Sequence, residues 1–390
     1  MTDPTVMTDP MNLNPKKIVQ EEEFAGRPPI ANLPTETVPS LPPRLWKDHD
    51  GDSLLVTRHR GSFMRPCPAT PVHVCCGLNI FHFGQGCRIR CSYCVLSHYL
   101  ASGAMVLFGN VDEGLGVLSE RLDLLNSDPS AFQNLPRDAV RDPGHPGDRP
   151  VRPPSPRSHR FCTGEFADSL LLDPLTGLSE KLVGIFARQK LGILELKTKT
   201  ANVDHLLNLD HRGKTVISFS MNSPKIAKTE EPLAPPPLER AKAAAGAAER
   251  GYGVGFHFDP LIWSPDYPEG LRETVSMIFD RVDPGAVAWI SMGCFRYLPE
   301  MKPLLSKNGA GRLFAPEFAK ADDGKFRYPR PLRREMYQCL LDLLRPRVSP
   351  ATILHLCMES PRLWEDLFGF NPGTGGLTAA FRDFRPPKAP

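Results

Sequence analysis

The sequence predicts an α/β protein built on a parallel sheet, either open or closed into a barrel. Two observations carry that expectation. Short apolar runs alternate with longer amphipathic ones along the middle of the chain, the pattern of strand–helix–strand units. Polar, reactive residues follow one apolar run after another, as they do where parallel strands deliver their carboxyl ends to one mouth. The 390 residues, 41% of them apolar, suffice for one large domain or two smaller ones.

Candidate strands fall at 78–83 (LNIFHF), 159–162 (HRFC), 192–197 (GILELK), 215–220 (TVISFS), 253–258 (GVGFHF) and 286–292 (AVAWISM). Helices are expected at 104–125, 169–189, 237–250, 268–281 and 331–345. The clearest is the Ala-rich LERAKAAAGAAERG, which Gly251 is placed to stop. The groups closing the strands are the GQGCRIRCSYC loop, Cys162-Thr163-Gly164-Glu165, Lys197 with Lys199, Ser220 with Asn222, His257 with Asp259, and Ser291 with Cys294 and Arg296.

The 42 prolines are uneven. Residues 1–44 are Pro-rich and polar, which predicts a disordered segment. Residues 128–158 read as a flexible Pro/Arg-rich insertion, a solvated loop more readily than a nucleic-acid contact. The domain expectation is therefore 1–44 disordered, 45–345 a barrel, and 346–390 a C-terminal extension packed on it. A net charge of +3 allows attraction to nucleic acid without requiring it. No run of about 18 apolar residues is present, and the N-terminus lacks a basic-then-apolar signal layout. The expected compartment is the cytoplasm, where ten cysteines point to metal or chemistry rather than disulfides.

Cys87, Cys91 and Cys94 crowd one short loop. A structural zinc ion wants four ligands, and His82 or His98 could supply the fourth. A [4Fe–4S] cluster also normally takes four thiolates. Three leave one iron with an open position. The CxxxCxxC spacing resembles that of radical S-adenosylmethionine enzymes, in which the cofactor's amino and carboxylate groups fill the vacancy. Gly164-Glu165 resembles the Gly-Glu element that meets the cofactor's ammonium in that superfamily.

The chain as a whole resembles the spore photoproduct lyase family, in its lyase-like branch. The resemblance runs in order through PCPAT, CCGLNIFHFGQGCRIRCSYCVL, CTGEFADSLLLD, ELKTKTANVDHLL, VISFSMNS, GYGVGFHFDPLI, ISMGCFRYLPEM, GKFRYPRPLRREMY and LHLCMESPRLW. It implies a partial (β/α)6 radical SAM barrel, a [4Fe–4S] cluster, S-adenosyl-L-methionine, a DNA thymine photoproduct as substrate, and a reduced flavodoxin or ferredoxin-type electron donor. By the same resemblance Cys87, Cys91 and Cys94 are cluster ligands, and Cys162 is the cysteine that returns a hydrogen atom to the substrate radical. Lys199, Ser220 and Asp259 fall at cofactor-side positions, and Tyr93 matches a tyrosine beside the cofactor.

The chain also departs from the lesion-repairing members. Val95 stands where they have a second tyrosine. Their long basic–aromatic hairpin is reduced here to GKFRYPRPLRREMY. Lys325, Arg327, Tyr328 and Arg330 remain nucleic-acid candidates, since cations interleaved with rings suit phosphate contact and base stacking. The same stretch equally suits the start of an amphipathic helix with Leu332, Met336, Leu340 and Leu344 facing the core. Cys67, Cys75 and Cys76 raise a second metal site, although adjacent cysteines point apart in an extended chain. Cys294, Cys339 and Cys357 are expected to be packed. The leading reading is radical repair of a DNA photoproduct. A radical enzyme acting on RNA, a nucleotide or a peptide is the alternative, and an idle metal-stabilised nucleic-acid-binding protein is another.

Overall fold

The computed structural model describes residues 14–26, 33–49, 52–68, 70, 72–100, 103–127, 160–373, 377, 380 and 381. The insertion expected at 128–158 lies outside these residues. In chain order the strands are Lys17–Glu21 (β1), Thr35–Val38 (β2), Ser53–Thr57 (β3), Met64–Pro66 (β4), Asn79–Phe81 (β5), Gly84–Gln85 (β6), Met105–Phe108 (β7) and Arg160–Cys162 (β8). They continue as Ile193–Thr198 (β9), Thr215–Ser220 (β10), Gly253–Leu261 (β11), Val287–Cys294 (β12), Arg296–Tyr297 (β13), Ala319–Lys320 (β14), Phe326–Arg327 (β15) and Ile353–Leu356 (β16).

The main sheet has eight strands in the order β16-β12-β11-β10-β9-β8-β5-β4. Every neighbouring pair is parallel except β4 with β5. All six expected strands are present and lie side by side. The reason is legible in their burial: β10 and β12 are buried at every position, as strands covered on both faces must be. Helix Pro237–Glu249 starts on Pro237 and buries Ala241, Ala244 and Ala247, the small side chains that let it lie close against the sheet. Gly251 follows it at φ 81° and ends it, as expected. Helix Arg330–Leu344 buries Met336, Leu340 and Leu344.

Four expectations need correction. Residues 1–44 are not disordered throughout, because β1 and β2 belong to a five-stranded sheet ordered β2-β1-β3-β7-β6. Ile18 and Val19 there are fully buried. Residues 104–125 are not one helix: Met105–Phe108 is a buried strand of that second sheet, and the helix runs only over Val111–Ser127. A four-residue apolar run fits either structure, and pairing with β3 decides it. Finally, a boundary at 345/346 would cut the main sheet, since β16 pairs in parallel with β12. The helix expected at 169–189 is two helices, Asp173–Thr176 and Leu178–Ala187, separated by Gly177 at φ 61°. Among the described residues no helix is long and apolar enough to cross a membrane.

Candidate active site at the mouth of the sheet

The cysteine loop leaves β6 of the second sheet. A bridge from Gly86 to Ala167, which follows β8, ties it to the main sheet. Gly86 sits at φ 96°, and a Cβ there would come within 2.7 Å of the Ala104 carbonyl oxygen, so this crossing requires glycine. The Cys94 N–H donates to the Cys91 carbonyl at 3.0 Å, turning the chain back between the second and third thiols. Burial pushes all three thiols above their ordinary range, Cys91 and Cys94 add to the effect at Cys87, and the nearby Lys199 ammonium opposes it at Cys91 and Cys94. Thiolate sulfur is the donor an iron–sulfur cluster takes, and the Lys199 ammonium beside Cys91 and Cys94 favours that form. Among the described residues no three His, Cys, Asp or Glu side chains are gathered so as to hold a metal ion. His82 packs edge-on against Phe108 and near Phe166, and His98 lies edge-on to Tyr99.

The loop is gripped from the far side of the mouth by two successive glutamates. Glu230 receives the Ser92 hydroxyl and the Arg312 guanidinium, while its carbonyl accepts the Ser92 N–H at 2.8 Å. Glu231 receives the Tyr93 hydroxyl, Asn222 at 2.8 Å and Arg240 at 2.6 Å, with Lys199 3.5 Å away. Both carboxylates are wholly buried. Burial alone would raise Glu231, but Lys199, Arg240 and the Tyr93 and Asn222 hydrogen bonds bring it down to about 2. Lys199 also lies 5.6 Å from the centre of the Tyr93 ring. Sequence reasoning missed this clamp, and nothing local signals it: 138 residues separate each glutamate from the loop residue it holds.

Cys162 ends β8, 3% exposed, and burial together with Glu195 pushes its thiol up to about 12. It stays a neutral S–H. Gly164 has φ 88°, and a Cβ would meet the Ser169 hydroxyl at 2.7 Å. Glu165 is already paired with Arg65 at 2.5 Å, so an ammonium meeting it would share it with a guanidinium. The neighbouring Asp168 accepts from Thr198 at 2.7 Å and from the Lys199 N–H at 2.7 Å, binding this turn to the end of β9.

Deeper lies a polar floor. Glu195 accepts from Ser218 at 2.7 Å, His257 at 2.8 Å and Trp289 at 3.0 Å, with Arg160 at 3.7 Å. Asp259 pairs with Arg296 at 3.2 Å; burial would raise its carboxyl, but Arg296, Cys357 and Lys197 hold it below the ordinary range. Ser220 is buried, and its carbonyl accepts from Arg240 at 2.8 Å. Tyr93 and Lys199 thus meet at Glu231, with Lys199 close enough to Cys91 and Cys94 to act on both thiols. Cys162 and Asp259 share a neighbourhood around Lys197.

The nucleic-acid candidates divide. Arg327 is buried in a two-pronged pair with Asp323 at 2.5 and 2.8 Å. Tyr328 is fully buried, packed on Phe318 and accepting the Trp263 N–H at 3.2 Å. Both side chains are held inside the fold, around the three-stranded β13-β15-β14 sheet. Lys325 reaches Asp323 at 3.3 Å, and Arg330, 48% exposed, lies 3.7 Å from Asp366. Cys76 accepts from Arg160 at 2.8 Å. Cys294 is buried and Cys357 partly buried.

Fold and site together define a curled parallel half-barrel that carries a three-thiol loop at the carboxyl ends of its strands. A family model described as "Spore photoproduct lyase" matches residues 148–301. It is 28% identical to the spore photoproduct lyase of Bacillus subtilis (strain 168) over 202 residues, covering 52% of this chain and 49% of that protein. To the lyase of Geobacillus sp. (strain Y412MC61) it is 32% identical over 119 residues, 30% of this chain and 35% of that one. The chain spans about half the length of the curated relative from Bacillus subtilis. In fold it matches a solved spore photoproduct lyase variant with bound AdoMet and dinucleoside spore photoproduct. The TM-score is 0.67 at 18% identity, covering 87% of this chain and 98% of that chain. A second lyase structure, complexed with dinucleoside spore photoproduct, also gives 0.67, over 88% and 99%.

Proposed function

We propose that this protein is a radical S-adenosylmethionine lyase that reverses a thymine photoproduct in DNA. One observation carries the reading: a buried Cys162 thiol ends β8, and the Gly86–Ala167 bridge ties the turn after that strand to the loop that carries Cys87, Cys91 and Cys94. In this reading the three thiols hold a [4Fe–4S] cluster that, with S-adenosyl-L-methionine, supplies a 5′-deoxyadenosyl radical. Cys162 keeps its proton at neutral pH and so has a hydrogen atom to give to a carbon radical in the mouth. The Glu230–Glu231 clamp fixes Ser92 and Tyr93, and through them the cysteine turn. Gly164 lets the chain bend tightly after β8, and Glu165, Lys199, Ser220 and Asp259 are candidate cofactor contacts. Electrons would come from a flavodoxin or ferredoxin-type carrier in the cytoplasm.

The test is anaerobic reconstitution followed by reduction with S-adenosylmethionine and a photoproduct dinucleotide. The expected result is 5′-deoxyadenosine and restored thymine, with Cys162→Ala still cleaving the cofactor while restoring less thymine. No 5′-deoxyadenosine above a no-protein control would overturn the enzyme reading, and equal thymine yields would remove Cys162 from the donor role. Burial of Arg327 and Tyr328 favours a second reading, the same chemistry on RNA, a nucleotide or a peptide, because it strips two members from the surface that would grip duplex DNA.

A further inference from the structure

Most of the cations enclosed among the described residues are committed. Arg65 pairs with Glu165, Arg240 with Glu231, Arg327 with Asp323, Arg296 with Asp259 and Lys199 with Glu231. Lys197 is different. Its ammonium makes no hydrogen bond or ion pair among the described residues. Yet Cys162, Glu195, Asp259 and Cys357 surround it closely enough to act on it electrostatically. The carboxylates in that circle are engaged elsewhere, Glu195 through Oε1 by His257, Ser218 and Trp289 with Oε2 facing Arg160 at 3.7 Å, and Asp259 by Arg296.

Its position follows from the strand. Glu195 and Lys197 lie two apart on β9 and share a face, while Cys162 is paired in register with Glu195. Lys197 therefore stands one same-face step, roughly 7 Å, nearer the mouth than the Cys162–Glu195 rung. The backbone there is fixed on both sides, the Lys197 N–H donating to the Ser169 hydroxyl and its carbonyl accepting the Ser169 N–H, each at 3.1 Å. A partly buried ammonium with three donors and no acceptor is costly to leave unpaired unless an acceptor arrives.

We infer that Lys197 is a substrate-binding residue whose ammonium takes an oxygen acceptor of the molecule facing Cys162, either a pyrimidine carbonyl or the phosphodiester joining two nucleosides. This rests on the substrate reading proposed above. The experiment measures binding by titration calorimetry to reconstituted protein with S-adenosylmethionine and no reductant, so that nothing turns over. Two probes are used, the dinucleoside photoproduct and its phosphodiester-linked dinucleotide. Lys197→Met is expected to weaken binding about tenfold or more, the size of a lost hydrogen bond to a charged group. Lys197→Arg is expected to stay within about threefold, because the charge is kept. Loss with both probes assigns the base carbonyl, and loss with the dinucleotide alone assigns the phosphate. If Lys197→Met fails to fold, Lys197→Gln provides the same comparison without the charge. A folded, uncharged variant that binds both probes like wild type overturns the inference and leaves the enzyme reading standing. Wild-type protein that binds neither probe overturns the substrate reading and this inference with it.

Discussion

Substituting Glu231→Gln removes one charge from the clamp and little else, which makes it the sharpest probe of how the cysteine loop is held. The carboxylate is fully buried and answers Arg240, itself fully buried, at 2.6 Å. Its pKa falls from 4.5 to about 2 on folding, a difference worth roughly 3 kcal/mol. Breaking a buried pair by neutralising one partner costs about 3–5 kcal/mol. The lower end applies, because Arg240 keeps the Pro235 and Ser220 carbonyls at 2.9 and 2.8 Å. The sign of the pH dependence follows. A carboxylate whose folded pKa is depressed stabilises the fold above its unfolded pKa and loses that contribution as pH falls toward the folded one. Wild type should therefore exceed Glu231→Gln by about 3 kcal/mol at pH 7. The gap should narrow as pH falls from 4.5 toward 2. Urea unfolding of the metal-free chain at several pH values reads both quantities. A gap below about 1 kcal/mol at neutral pH, or one that does not shrink in acid, would refute the account.

Two further substitutions test other parts of the frame. Gly164→Ala must place a methyl group 2.7 Å from the Ser169 hydroxyl at φ 88°; a loss of about 1–3 kcal/mol is expected in thermal unfolding, and an unchanged melting temperature would mean that the turn relaxes. Asp323→Asn strands the Arg327 guanidinium, 1% exposed, against a neutral partner. About 3 kcal/mol should be lost, and if the variant keeps full stability while losing DNA affinity, Arg327 is a binding residue after all.

How much of this was legible in the chain depends on where each contact lies. The parallel strands announce themselves because each is an apolar run buried on two faces, and their polar last residues mark the mouth. The small sheet does not: TETV of β2 is almost wholly exposed and polar, and β1 lies in a Pro-rich stretch whose composition matches disorder. The stretch around 325–334 mixes cations and rings in a way that suits a surface or a core, and only the placement of Asp323 beneath Arg327 decides for the core. The clamp is invisible for a different reason. TEEPLAPPP reads as an ordinary acidic helix end, and its partners lie across the mouth on another segment.

The strand β9 shows how depth in this site is set. Its inward residues run from Glu195 at the floor to Lys197, with Lys199 following just past the strand, at steps of about 7 Å. Glu195 is anchored by groups from β10, β11 and β12 at once, through Ser218, His257 and Trp289. Register then fixes Cys162 at the floor level, while Lys199 reaches the rim where Tyr93 and Glu231 meet the cysteine loop. A buried carboxylate costs desolvation that an apolar side chain would avoid. Three donors from three strands, with the Arg160 guanidinium on β8 at 3.7 Å, offset that cost only in one register, so the floor that is expensive to build is also what keeps the thiol of Cys162 at a fixed depth below the rim.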